Sequence, residues 1–453
     1  MALTRQGPRD VARRLASNLP VGMVPIAAGL IVLGVTAYGF LIVAARSLGP
    51  ERYAPLSVLW ALVFLVGPGL FVPLEQELAR AISARQATGR RSEHLVRKAA
   101  LAGTAIAALL AVVAVVAKGW LLSRLFDDQP LLLVGLILSL FGYFAEHLVR
   151  GALAGTGRFR PYGLILGAEG SLRLVGCVAL AAGGVSTPGP YGLVLGATPL
   201  LAAAIGARGQ GLFSPGAPCT VAPEGVGSGP SLTNALGWLL AGSLFALLLV
   251  NGAPVAVKLL ATEAEKATVG RFVAALIVTR VPLFLFASVQ AAALPRLSRL
   301  AAAGRHHEFR DGVRRLVAVV GAFGLAGTVG AAVAGPAAVQ VLFGSAFRLG
   351  RRDLIYLAAA SAFYMLAMTV AQGLIALRAP ARAAVAWMAG FATFVIIVVV
   401  SPGLLLRVER ALLAGSMVAF ATMAVALAPV LRRAAVSTVS IDEEPGCLPP
   451  TVP

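Results

Sequence analysis

Twelve times along this chain an apolar run recurs that is long enough to cross a lipid bilayer as a helix. A hydrocarbon core about 30 Å thick takes roughly 20 such residues. The runs fall at about 20–45, 54–79, 99–117, 131–149, 161–183 and 189–207, then 231–253, 268–293, 316–336, 353–377, 383–404 and 411–431. Backbone groups in lipid must be satisfied within the segment, so each run reads as a helix. The predicted fold class is an all-α polytopic membrane protein of about twelve transmembrane helices. Composition agrees: 58% of residues are hydrophobic and only 13% charged, against about a quarter charged in soluble domains. A mean hydropathy of +0.87 leaves too little polar material to cover a soluble surface. The same figures exclude collagen, coiled-coil, disulfide-scaffold and disordered classes. The first run is too long for a signal-peptide core and reads as a retained helix.

The net charge of +19 would suggest nucleic acid in a soluble protein. Here the basic residues lie between the apolar runs and no nucleic-acid motif accompanies them. With the N-terminus inside, the inner segments carry about twice the Lys and Arg of the outer ones, as the positive-inside rule requires. Both termini are therefore expected in the cytoplasm. The richness in Ala, Arg and Gly points to a bacterial chain, in the cytoplasmic (inner) membrane. Cys177, Cys219 and Cys447 lack metal-ligand spacing and form no disulfide framework. No metal site or cofactor motif is expected, and no HExxH, nucleophile elbow or P-loop marks an enzyme.

The stretch 208–230 (RGQGLFSPGAPCTVAPEGVGSGP) is rich in Gly and Pro and reads as a cytoplasmic linker. The expected organisation is a cytoplasmic segment 1–19, a six-helix bundle 20–207, the linker, a second six-helix bundle 231–433, and a short disordered cytoplasmic tail 434–453. The two bundles read as a repeat. The segment VGPGLFVPLEQELARAISARQATGRR from Val66 lies over RVPLFLFASVQAAALPRLSRLAAAGR from Arg280, placing Pro68 on Pro282, Gln76 on Gln290 and Arg85 on Arg299. An even number of intervening spans makes this a parallel repeat.

AARSLGPERYAPLS, from Ala44 to Ser57, resembles the end of the first helix in the polysaccharide-transporter branch of the MATE-like (MOP) flippases. RVPLFLFASVQAAALPRLSRLAAAG resembles the matching stretch of their helix eight. The resemblance implies two six-helix bundles around a central cavity that moves a polyprenyl-pyrophosphate-linked oligosaccharide outward by alternating access. It also implies glycan polymerase and ligase proteins as partners, besides the lipid bilayer. One departure separates the chain from the drug-exporter branch: PVGMVPIAAGLIVLGVTAYGFLIVAA, the first helix, has no acid where many exporters bind their coupling ion.

Ionisable residues inside spans are costly and point to function. Arg280 lies near the middle of the eighth span, and its planar fork matches phosphate oxygens. A partner such as Glu75 or Glu169 is the competing reading. The expected substrate set is Arg280 with Arg46, Arg173 and Arg271 on the pyrophosphate, and Asn251, Gln76 and Gln290 lining the cavity. Glu169–Arg173, Glu146–Arg150 and Glu77–Arg80 stand three or four apart, so each pair can also simply neutralise itself on one helix face. Three readings follow. A lipid-linked glycan flippase would show excess arginine. A cation-coupled exporter of the MATE type would use Glu75, Glu77 or Glu169 for its ion. A non-transporting membrane scaffold would have a cavity closed by apolar packing.

Overall fold

A computed structural model describes residues 23–87, 93–211, 230–283, 286 and 297–442. Among them the secondary structure is helical throughout: α1 (Met23–Ala87), α2 (Glu93–Val116), α3 (Lys118–Arg124), α4 (Pro130–Gly155), α5 (Phe159–Ala182), α6 (Pro188–Ala207), α7 (Pro230–Leu260), α8 (Lys266–Thr279), α9 (His306–Phe343), α10 (Arg351–Ala376), α11 (Pro380–Val400) and α12 (Leu405–Asp442), with two short 3-10 turns. Ten helices among the described residues are long and apolar enough to cross a membrane. The protein is a multi-pass membrane protein.

The first of these holds two spans. Gly49 adopts φ 71° and ψ 169°, a conformation that only glycine occupies without strain, and Pro50 follows it. The Phe40 and Trp60 rings stack with centroids 5.6 Å apart, whereas 20 residues of straight helix would separate them by about 30 Å. The chain therefore doubles back, and the loop expected between the spans is a break at one residue. Two other boundaries differ from expectation. The twelfth span begins at Leu405 instead of near 411, and the same helix continues to Asp442 through what was expected to be disordered tail. The eighth span is described as a helix over Lys266–Thr279 and at 281–283 and 286; Gln290 and the middle of the second repeat segment, 287–296, lie outside the described residues.

Contacts divide the chain into two units. The first holds α1 to α6 and also takes in Val257–Ala274 and Gln340–Phe347; the second holds Gly225–Ala256, Ala275–Val339 and Arg348–Pro453. The boundary at Glu224 falls in the expected linker, of which 212–229 lie outside the described residues. The two intercalated segments were not expected: they divide α7, α8 and α9, each an unbroken helix, between units.

Each unit is organised alike. In the first, α4 is the most buried of the described spans and α2 the least; in the second, α10 and α9 stand the same way. The fourth span and the tenth are thus the central helices, and the third and ninth the outermost, which is the six-span repeat seen independently in each half. Small residues allow the central packing. A Cβ on Gly135 of α4 would lie 2.5 Å from the Gly192 carbonyl oxygen of α6, and one on Gly390 of α11 would lie 2.6 Å from that of Gly415 on α12. Close backbone approach through glycine replaces the hydrophobic drive that lipid cannot supply between helices. The outward faces stay apolar: Val116, Val333 and Val425 are each about three-quarters exposed or more, as lipid-facing residues are.

Candidate functional site

The polar residues of the first unit converge on α4. Tyr143, Glu146, His147 and Arg150 stand at i, i+3, i+4 and i+7, a single stripe of the helix. They face Glu75 on the second arm of α1 and Tyr162, Glu169 and Arg173 on α5. Glu75 is the hub of one cluster: His147 Nδ1 lies 2.6 Å from its Oε2, the Tyr162 hydroxyl donates to its Oε1 at 2.6 Å, and Arg150 Nη2 lies 3.1 Å from Oε2. Arg150 also donates to Glu146 Oε1 at 3.0 Å and stacks over the Tyr162 ring. In the second cluster Arg173 Nη1 and the Tyr143 hydroxyl both donate to Glu169 Oε1, at 2.8 and 2.9 Å. The Arg173 guanidinium lies 5.2 Å from the Trp60 ring centroid and is fully buried.

The charges of this network leave one proton to place. Three carboxyls (Glu75, Glu146, Glu169) meet two guanidiniums (Arg150, Arg173) and one imidazole (His147). A buried set with net charge is expensive, so neutrality requires one proton in the set. Two seats are on hand for it: the short Glu75–His147 contact, and Glu146, which is fully buried with one carboxyl oxygen unpartnered among the described residues. Glu146 Oε2, Arg150 Nε and Arg173 Nε and Nη2 have no hydrogen-bond partner among the described residues.

The other expected site residues are dispersed. Arg46 donates to the Val341 and Leu342 carbonyls, the Nε bond measuring 2.7 Å, and Arg271 donates to the Ala346 carbonyl at 3.0 Å. Both therefore hold the last turn of α9 and the bend after it, where carbonyls lack helical partners. Gln76 is exposed, as is Glu77, which pairs with Arg80 at 2.6 Å. Lys258 ties α7 to Asp127 at 2.6 Å, and Lys266 shares that carboxylate at 3.2 Å while bonding Glu263. The Glu263 hydrogen bond, aided by Asp127, raises the Lys266 ammonium above the ordinary lysine range.

In the second unit, half-buried Arg280 donates Nη2 to the Val250 carbonyl, next to half-buried Asn251. It lines a cavity of about 10 Å³ with Ser361, Tyr364 and Ser416, room for one water. Glu75 and Glu169, the candidate partners for Arg280, are engaged by His147, Arg150 and Arg173 in the first unit. Sequence reasoning missed Glu409, placed in a loop by starting the twelfth span at 411. The signal was present: Leu405, Val408, Leu412 and Ser416 continue the helical face through it. Among the described residues no group of three His, Cys, Asp or Glu side chains could hold a metal ion.

Comparison with known proteins gives no match to any family model. The chain is similar to "Uncharacterized protein Mb3654" of Mycobacterium bovis, 28% identical over 353 residues, covering 75% of this chain and 76% of that one. It is similarly related to "Uncharacterized protein Rv1510" of Mycobacterium tuberculosis, at 29% over 352 residues and 73% and 74% coverage. Among solved structures, an inward-facing multidrug resistance MATE family transporter of the MOP superfamily superposes with a TM-score of 0.67 at 15% identity, over 92% of this chain and 99% of that chain. An outward-facing one gives 0.60 at 14% identity, over 96% and 98%. The fold is that of the MATE transporters. A mutant of the Vibrio cholerae MATE transporter VcmN gives 0.59 at 15% identity, over 93% and 98%. At such identities the likeness fixes the MATE architecture of this chain, not its cargo.

Proposed function

We propose that this chain is a membrane transporter that moves an anionic lipid-linked glycan, a polyprenyl-pyrophosphate-linked oligosaccharide, from the cytoplasmic to the outer leaflet by alternating access. The supporting observation is an arginine at membrane depth in the second unit. Arg280 sits within a span, braced by the Val250 carbonyl, and shares a small cavity with Ser361, Tyr364 and Ser416. The Ser361 and Tyr364 hydroxyls donate to the Leu357 and Ala246 carbonyls, so the guanidinium is the group suited to phosphate oxygens. The one-water cavity is far too small for a pyrophosphate, so the site is closed here and admits substrate only after its helices part. Asn251, one residue from Val250, belongs to the same region. The proposed setting is a bacterial inner membrane, with glycan polymerase and ligase proteins as functional neighbours.

The direct test is reconstitution in liposomes with a fluorescent polyprenyl-pyrophosphate sugar, following its transfer between leaflets with a membrane-impermeant quencher. Arg280→Ala is expected to abolish transfer with insertion intact; Arg280→Lys is expected to keep a minor part, because charge remains but the bidentate fork is lost. Unimpaired transfer by the alanine variant would refute the assignment. A second reading, a cation-coupled exporter, is favoured by the buried cluster of Glu75, Glu146 and His147, whose charge count calls for one proton. Efflux of an organic cation that stops in Glu75→Gln, with no transfer of the glycan lipid, would establish it instead.

A further inference from the structure

One carboxyl in the second unit has no counterpart in the networks above. Glu409, on the second turn of α12, is fully buried, and neither of its side-chain oxygens meets a hydrogen-bond donor among the described residues. An ionised carboxylate in that state has lost its water and gained nothing in exchange. Its surroundings oppose the charge further. Asp353 of α10 is close enough to repel it and is itself almost completely buried. Arg352, the neighbouring cation, is already committed, donating to Asp353 Oδ1 from Nη2 at 3.0 Å and from Nε at 3.2 Å. The Gly350 amide donates to Asp353 Oδ2. So Asp353 is hydrogen-bonded, while Glu409 has only the unbonded pull of the Arg352 charge. The remaining ionisable groups nearby are Arg351 and Tyr356 on α10 and Arg407 and Arg410 on α12 itself. Arg382, the one ionisable residue of α11, lies at the opposite end of that helix from the start of α12.

Glu409 also shares a helix face with Leu412 and Ser416, at i+3 and i+7. Both line the small cavity that contains Arg280 and Tyr364, and the Ser416 hydroxyl also has no partner among the described residues. The face therefore runs from the Asp353 end of the unit towards that cavity. A metal ion would need several oxygens around Glu409, and among the described residues no cluster of three acidic, histidine or cysteine side chains exists. A proton needs only one oxygen.

We propose that Glu409 is a proton-binding site of the second unit, loaded in the conformation seen here and emptied in another. Loading takes a proton from hydronium at the Asp353 end, leaving water and a neutral carboxyl; release returns the proton to water once Glu409 is hydrated. The role in coupling rests on the transport reading, but the proton site itself does not.

The test is infrared difference spectroscopy of the full chain in liposomes, reading the C=O stretch of a protonated carboxyl. Wild type is expected to show at pH 7 a band that Glu409→Gln lacks, over whatever the Glu75–Glu146 cluster contributes to both, and to lose that band reversibly as pH is raised. Absence of the band at pH 7, its replacement on adding sodium chloride, or its persistence at every pH would each overturn the proposal. Glu409→Gln mimics the loaded form, so it is expected to insert and to melt no lower than wild type; collapse of that variant would show that the charged form is the folded one, again against the proposal. Failure of glycan transfer with the band behaving as expected would refute the transport reading and leave the proton site standing.

Discussion

Replacing Arg173 by methionine keeps most of the side chain's volume and removes its charge. Glu169 then stays 3% exposed with Tyr143 as its remaining donor. Breaking a buried pair by deleting one partner is destabilising by about 3–5 kcal/mol, and losing the desolvated contact with Trp60 adds up to about 2. Glu169→Gln strands the guanidinium instead and is expected to fall in the same range. The double variant removes both charges and keeps an amide that Tyr143 can bond. Its expected loss is about 2 kcal/mol or less, chiefly the Trp60 contact, so the two single losses are far from additive. Equilibrium unfolding of the four proteins in one detergent reads this cycle directly, and glycan-lipid transfer by the double variant reads function. Stable and active, it would make Arg173 a structural partner of Glu169; stable and inactive, it would assign the pair to transport itself. A single Arg173→Met variant as stable as wild type would refute the reasoning, since a carboxylate cannot be left in that position without loss.

Four further outcomes follow from the structure. Gly49→Ala puts a Cβ where φ is 71° and should lower stability by roughly 1–3 kcal/mol, read by the same unfolding assay; an unchanged value would mean the turn has another conformation. Gly135→Val should separate α4 from α6, because its Cβ would start 2.5 Å from the Gly192 carbonyl oxygen; retention of full thermal stability would contradict that packing. Residues 1–208 expressed alone lack the lysines that bind Asp127, so their stable insertion should require co-expression of the remainder, with protease resistance as the readout. A cysteine at Gly304 should be shielded from an impermeant thiol reagent in intact cells and one at Asp128 should react; the reverse pattern would invert the proposed orientation.

Much of the fold was legible because lipid imposes one rule on every segment. Span length and the acid-before-base pairs Glu77–Arg80, Glu146–Arg150 and Glu169–Arg173 follow from local spacing, and all three pairs form. What escaped is what depends on a distant partner. Nothing in the sequence around Glu75 announces His147 and Tyr162, 72 and 87 positions away. Arg46 carries the same ambiguity: a basic residue at a helix end suits a phosphate or a carbonyl, and only the return of the chain near residue 341 decides that carbonyls receive it. Glu409 was lost for a different reason, since a boundary six residues late turns a buried acid into a loop acid.

The division of α7 and α9 between the two units has a mechanical consequence. In α7 the change of unit comes after Ala256, two residues beyond Pro254, and in α9 it comes after Val339, three beyond Pro336. Proline lacks the amide that would bond one turn back and crowds the carbonyl there. Each rod is therefore weakest at bending just before it changes unit, and just beyond each weak point it is gripped, α7 by Lys258 on Asp127 and α9 by Arg46 on its last carbonyls. Flexure at these two points sacrifices few backbone hydrogen bonds, so the rods can act as leaf springs: compliant in angle and stiff in length.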